Sequence, residues 1–371
     1  MTIETLPSTR IHLPGSPEFT AATRLWNGAV THRPAAVARP TSRSEVQSAL
    51  RYVADSGMPV AVRGGGHDWA GRALIAGGLV IDLSLMRRVD VDVTSQTAFV
   101  SGGSTAADVV AATEPFGLVP ATGTYGGVGI VGLTLAGGYG PLNGIAGLAL
   151  DNVIAFEVVL HDGTTTIAHE RHETDLFWAL RGGGGNFGVV TGMRVRLHAL
   201  DSVIAGFIGF PWQQAEQILR RYDVLRPTMP DELTVQIGVL SGPDGNPIVF
   251  MAPAWSGTAA TGVTWIDRLQ RLGTPVIAQV GQMPYSAMLG LFDPRDRRPP
   301  LRAAHAHCPI TRRRRDRYAA ARGRIKKLCV QRHRHSPFPR RRNANSTRRH
   351  GVRHPLGSHG RRDRRRVGPG R

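Results

Sequence analysis

The chain changes chemistry near residue 294, and this discontinuity decides which part of it can fold around an apolar core. Residues 295–371 hold 27 Lys and Arg against 3 Asp and Glu, whereas residues 1–294 hold 19 against 24, so +24 sits beside −5. In the C-terminal part, runs such as RRRR, RHRH and RRDRRR break every apolar period of 2 or 3.6. A segment of that composition buries too little apolar surface to offset the entropy of ordering it. The total charge of +19 therefore describes a basic, low-complexity tail at 295–371. Fold and chemistry are to be sought in residues 1–294.

Both cysteines, Cys308 and Cys329, lie in the tail, so a disulfide framework or a cysteine metal site is excluded from the body. The opening residues MTIETLPSTRIHLPGSPEF have no apolar h-region, and no secretory signal is read there. The longest apolar run, residues 126–140, carries seven glycines and falls short of the roughly 20 residues of a membrane helix. The expectation is a cytoplasmic protein with no membrane partner.

Residues 1–33 read as an unstructured N-terminal extension. Strands are expected at 35–39, 59–63, 79–83 and 98–101. A helix is expected from the Ser42/Glu45 capping box to Gly57, and another over 104–116. Strands follow at 152–160, 164–168 and 189–197, with a short helix at 173–180. From about Leu200 the order becomes β-α-β-β-α-β (strands 203–210, 232–240, 247–253 and 275–280; helices 212–225 and 261–272). That is a split-βαβ layer with helices on one face. The reading is an α+β protein: a two-lobed domain at 34–200, a partial antiparallel-sheet domain at 201–294, and the tail.

Three glycine clusters punctuate residues 63–188: VRGGGHDWAG, then GTYGGVG continuing to GGYG, then RGGGGNFG. Glycine admits positive φ and lets a ligand approach main-chain N–H groups, which in successive turns make an anion-binding nest. Tight connections explain any single cluster equally well; three at strand ends favour a dinucleotide. None is a G-x-G-x-x-G after the first strand with an acidic residue about 20 positions on, which argues against a nicotinamide Rossmann domain. His161, His169 and His172 lie near Asp162, Glu170 and Glu173. Without two ligands on one helical face they read as solvated turn residues, and no metal is expected.

The runs VRGGGHDWAG, GTYGGVGIVGLTLAGGYGPLNGIAGLALDNV and DLFWALRGGGGNFGVVTGMRVRL together resemble the berberine-bridge-enzyme-like FAD-linked oxidases, with the PCMH-type FAD domain of the vanillyl-alcohol-oxidase superfamily. The resemblance covers 34–200 and extends loosely through GQMPYSAMLGLFDP. It implies a flavoprotein that takes hydride from a small alcohol or amine to flavin N5, with O2 or another acceptor reoxidising the flavin. It implies that His67 bonds to the flavin 8α-methyl. Arg63, Gly64, Gly65, Gly66 and Asp68 would wrap the diphosphate. Gly126, Gly127, Val128, Gly129 and Gly132 would follow the isoalloxazine and ribityl edge. Gly188 and Val190 would reach the adenine end, with Asp151 and Asn152 bracing that loop. Where bicovalent members carry a cysteine, this chain has Tyr125, so a single linkage through His67 is implied, as in 6-hydroxynicotine oxidases. Trp69 stands where some sugar oxidases have tyrosine, which disfavours a sugar. Tyr125 and Trp69 are the candidates to line the flavin.

The same resemblance implies a C-terminal return to the FAD domain, bearing catalytic tyrosine or carboxylate groups, that residues 295–371 do not spell. The expectation is a reading-frame shift near Asp293-Pro294 in a GC-rich gene. Two further alternatives are a catalytically impaired flavin-binding remnant and non-specific nucleic-acid association through the tail.

Overall fold

A computed structural model describes residues 10–242 and 245–291. The expectations for the tail, including its frame of translation, lie outside the described residues.

The first sheet contains β1 (Arg10–His12), β2 (Ala36–Arg39), β3 (Val60–Arg63) and β4 (Leu79–Asp82) in the order β1-β2-β4-β3. β2, β4 and β3 are parallel, and β1 runs antiparallel at the edge. Parallel strands buried on both faces read as unbroken apolar runs, and Ala36-Val37-Ala38 and Leu79-Val80-Ile81 are fully buried. Their alternate side chains serve two cores. Ala36, Ala38, Leu79 and Ile81 pack under the helix Arg43–Ser56 and against Val159 and Val189. Val37 and Val80 pack on Ala22 and Leu25 beside the helix Pro17–Thr23. These two helices are α1 (Pro17–Thr23) and α2 (Arg43–Ser56).

Half of the capping box expected at α2 forms. Ser42 Oγ accepts from the Glu45 N–H at 3.3 Å, but the Glu45 carboxylate accepts from the Thr41 N–H and hydroxyl at 2.9 and 3.0 Å. Gly57 ends the helix at φ 65°. The expectation that the chain starts without structure fails over residues 10–33. Ser16 caps α1 by accepting the Phe19 N–H at 3.1 Å, Pro17 is preset for the first turn, and Phe19, Ala22 and Leu25 fill the second core.

The second sheet takes β5 (Val89–Asp92), β6 (Thr97–Ser101), β7 (Leu118–Pro120), β8 (Val153–Val159), β9 (Thr165–His169) and β10 (Val189–Ala199). Its order is β5-β6-β10-β8-β9 with β7 on the far end of β10, and every pair is antiparallel. Four helices accompany it: α3 (Ala106–Thr113), α4 (Ile130–Leu135), α5 (Asn143–Ala146) and α6 (Thr174–Leu180). α3 begins in a Thr105/Asp108 capping box and turns 3₁₀ at Glu114–Phe116, because Pro115 has no N–H to continue the ladder. α4 and α5 were not expected from the sequence.

The third sheet holds β11 (Val203–Pro211), β12 (Leu233–Ser241), β13 (Pro247–Trp255) and β14 (Ile277–Met283), antiparallel in the order β12-β13-β11-β14. That is the strand order a split-βαβ layer requires. α7 (Ala215–Leu225) and α8 (Ala259–Gln270) cover one face, packing Ile218, Trp265, Ile266 and Leu269 on Ile204, Ile208, Phe210, Met251 and Trp255. Against the opposite face, Val203, Ala205 and Ala254 share a core with Ala106, Val110, Val119 and Leu142, and with α9 (Tyr285–Gly290). The turn at 200–202 thus separates two sheets, while one apolar cluster spans it.

Candidate functional site

β3 delivers the first glycine loop from its C-terminal end. Arg63, the last residue of that strand, turns its guanidinium inward and donates to both carboxylate oxygens of Asp82 at 3.0 Å. Asp82 is fully buried; it also lies 3.4 Å from Arg39 Nε and accepts from the Ser84 N–H and hydroxyl at 3.1 and 3.0 Å. The Arg63 side chain is therefore committed to Asp82 at the base of the loop. Asp68 is likewise occupied, accepting from the Arg72 N–H at 2.7 Å and from its guanidinium.

The second glycine loop crosses the first at main-chain contact. A Cβ on Gly65 would overlap the main-chain N of Gly129, and one on Gly129 would overlap the N of Gly65. Hydrogen bonds fasten the second loop to the start of α3: the Ala106 N–H donates to Val128 O at 2.9 Å, Ala107 to Gly126 O at 2.8 Å, and the Ile130 N–H to Ser104 O at 3.0 Å. Gly66 takes φ 73°, a left-handed value that suits glycine, and presents His67 immediately after the crossing. Gly132, in the exposed turn of α4, has open space over its Cα. Tyr125 is 36% exposed and Trp69 67%. Glycines that bring two main chains together beside a histidine form a cradle of the kind an extended diphosphate cofactor occupies.

The third cluster does different work. The N–H groups of Gly182 and Gly184 both donate to Leu135 O, at 3.1 and 3.0 Å, and Gly183 donates to Ala179 O at 2.9 Å. They cap the C-terminal ends of α4 and α6. Gly188, at φ 147°, packs against Val158 and Val159, and Val190 is buried in β10. Asp151 accepts from the Leu148 N–H at 2.8 Å, and Asn152 donates to Ala146 O and Leu148 O at 3.0 and 2.9 Å, so the pair braces the 146–148 turn.

Asn152 Oδ1 also lies 2.8 Å from His198 Nε2. Burial, then the nearby Arg196, pushes the His198 pKa below its ordinary value. Its folded pKa lies under the unfolded value near 6.5, so the neutral ring is favoured on folding and stability falls as pH drops below about 6.5. The urea midpoint is expected to decrease between pH 7.5 and 5.5, and part of that decrease should vanish in His198→Gln, which keeps a donor for Asn152. An identical pH slope in the variant would assign the effect elsewhere.

Sequence reading missed Asp82, Trp26 and Tyr285. Trp26 stacks on His67 with ring centroids 6.0 Å apart and 25° between planes, and leans on Trp69 at 4.7 Å. Tyr285 is 1% exposed with its hydroxyl unpartnered among the described residues, and burial pushes its pKa up. His169 and His172 face each other across a turn, rings 5.9 Å apart; among the described residues no group of three His, Cys, Asp or Glu could hold a metal ion. No helix among them is long and apolar enough to cross a membrane.

The crossing of two glycine loops beside a histidine, on a parallel sheet joined to an antiparallel one, defines a class of cofactor-binding protein. Residues 34–168 match the family described as FAD binding domain. Residues 34–168 thus carry an FAD binding domain, and the chain is similar to FAD-linked oxidoreductases. It is 32% identical over 287 residues to the FAD-linked oxidoreductase aurO of Gibberella zeae, an alignment covering 76% of this chain and 56% of that protein. It is 39% identical over 196 residues to (R)-6-hydroxynicotine oxidase of Paenarthrobacter nicotinovorans, covering 53% and 43%. The crystal structure of 6-hydroxy-D-nicotine oxidase from Arthrobacter nicotinovorans superposes with a TM-score of 0.73 at 32% identity, over 76% of this chain and 63% of that one. A chitooligosaccharide oxidase superposes at 0.68 with 26% identity, over 76% and 60%. The chain thus spans a little over half the length of the first of these relatives.

Proposed function

We propose that this protein is an FAD-dependent oxidoreductase acting on a small alcohol or amine, with the flavin attached through His67 alone. The observation that carries the reading is the Gly65–Gly129 crossing directly before His67. When bound, FAD supplies the electron sink: the substrate gives up a hydride and a proton, and O2 leaves as H2O2, or another acceptor takes the two electrons. The chain's own residues supply position. Gly65 lets the two glycine loops meet at main-chain contact, and Asp82 holds the base of the first loop through Arg63. The neutral imidazole of His67 is a nucleophile near pH 7. Tyr125 has no thiol, which supports a single linkage.

Between the second glycine loop and the third sheet lies a narrow cleft, about 20 Å³ of cavity, whose walls include Thr124, Pro141, Gln236, Ala252, Pro253 and Met288. None of its lining side chains is ionisable. One rival reading is a flavin-binding protein without turnover. The test is a denaturing gel viewed for flavin fluorescence, followed by peroxide detection with candidate alcohols and amines. Acid-stable fluorescence in the full chain, lost in His67→Ala, is the expected result. Acid-stable flavin persisting in His67→Ala would overturn the linkage, and fluorescence without peroxide from any substrate would favour the rival.

A further inference from the structure

We propose that Trp26 is a positioning residue for His67, and that residues 25–30 form a clamp holding the flavin-attachment loop from the side opposite Gly129. The inference rests on the reading that His67 carries the flavin. Four contacts join the two segments. The Trp26 N–H donates to Gly66 O at 3.0 Å, and Asn27 Nδ2 donates to Trp69 O at 2.8 Å. Leu25 lies against the Cα of Gly66, and Val30 closes over Gly71, which takes φ 74°. Between the two hydrogen bonds the indole of Trp26 meets two side chains of the loop, His67 at 6.0 Å and 25° and Trp69 at 4.7 Å and 56°. His67 lies in an irregular stretch and Trp69 in the turn that follows, closed by the Gly71 N–H on Asp68 O at 3.2 Å, and both rings come within reach of the indole.

Glycine on both flanks explains why the loop needs this support. Gly64, Gly65 and Gly66 precede His67 and impose little of their own on its backbone, and Gly66 and Gly71 both sit at positive φ. The crossing with Gly129 fixes the main chain before His67, but a main-chain contact at Gly65 does not orient an imidazole two residues on. The indole adds a restraint of its own: a planar face beside the ring disfavours orientations that tilt far from its plane. Leu25 and Ala22 belong to the core under the first sheet, so the clamp is anchored in the fold.

Attachment replaces the imidazole N–H and one C–H of the flavin methyl by an N–C bond. The two hydrogens leave with two electrons and become H2O2 when O2 is the acceptor. Such a step depends on the approach of the nitrogen to one carbon, and displacement by an ångström costs on the order of 100-fold in rate.

The test uses the full chain, produced without flavin and then mixed with FAD, comparing Trp26→Met with Trp26→Phe. Three quantities are read: total bound flavin after gel filtration, the rate at which flavin becomes acid-stable, and the melting temperature. Trp26→Met is expected to bind FAD but to form the acid-stable adduct at least about tenfold more slowly, within the range a misplaced group imposes. Trp26→Phe, still planar, should recover most of the rate at a similar melting temperature. A methionine variant with the wild-type rate overturns the proposal while leaving the His67 reading intact, provided His67→Ala makes no adduct. A methionine variant that loses non-covalent FAD in step with the adduct overturns it too, since that marks a merely structural role. If the methionine variant is unstable, Trp26→Leu takes its place, and failure of both to fold assigns Trp26 to the core and overturns the proposal. Adduct formation in His67→Ala would instead overturn the underlying reading.

Discussion

Asp82→Ala is expected to destabilise the protein by about 3–5 kcal/mol, the cost of leaving a buried cation without its counter-charge. Asp82 is wholly buried, and the two guanidinium groups that converge on it, Arg63 and Arg39, expose 15% and 24% of their side chains. Two further donors, the N–H and hydroxyl of Ser84, would lose their acceptor as well. Domains are stable by roughly 5–15 kcal/mol, so the variant should unfold at markedly lower urea concentration or melt during purification. Asp82→Asn keeps an acceptor for Ser84 but no charge, and should fall between the two. Asp82→Leu with Arg63→Met should recover only the Arg63 share of the loss, because Arg39 still lacks its counter-charge and Ser84 its acceptor. A loss below about 1 kcal/mol in Asp82→Ala would show that water reaches the arginines and that the pair adds no more than a surface ion pair does.

What could be read from the chain and what could not divides along the range of the interactions. Strands such as Leu79–Asp82 and Val189–Ala199, and the α2 boundaries at Ser42 and Gly57, were legible because a strand's apolar run and a helix's cap are local signals. The β-α-β-β-α-β order of residues 203–283 was legible for the same reason, and the sheet it forms follows the split-βαβ order. α1 carried a usable signal, Ser16 before Pro17, that the polar look of the segment outweighed. α4 gave none: six residues with Gly132 among them and no side-chain cap do not announce a helix. Asp82 reads as the end of a strand, and nothing local marks it as the partner of an arginine 19 residues earlier. The three glycine clusters look alike in composition, yet the first two cross each other and the third caps helices. Composition gives the freedom of a loop, and tertiary contacts decide what its N–H groups meet.

That distinction makes the glycines themselves the sharpest probe of the candidate site. Gly65→Ala is expected to force the two loops apart. Its added Cβ would overlap the main-chain N of Gly129 and lie 2.8 Å from that residue's Cα and 3.1 Å from Gly127 O. Backbone on both sides cannot yield as the end of a flexible side chain can, so the strain should cost about 1–3 kcal/mol or more. Flavin content should fall with it, because the cradle is the crossing. Gly64→Ala is the internal control for the protein part of the effect: its Cβ meets only Gly102 O, at 3.5 Å, an ordinary contact. The flavin-free Gly64 variant should therefore melt close to wild type while the Gly65 variant does not. Gly132→Ala separates fold from cofactor most cleanly. Nothing in the protein lies within 4 Å of the new methyl, and alanine in a helix interior is favoured over glycine by roughly 0.5–1 kcal/mol. The flavin-free variant should be at least as stable as wild type. If its FAD binding falls all the same, the methyl is meeting the cofactor, and Gly132 lies where the family resemblance put it. If binding is unchanged, the flavin edge runs elsewhere and the contact assigned to Gly132 is wrong, whatever the fate of Gly65.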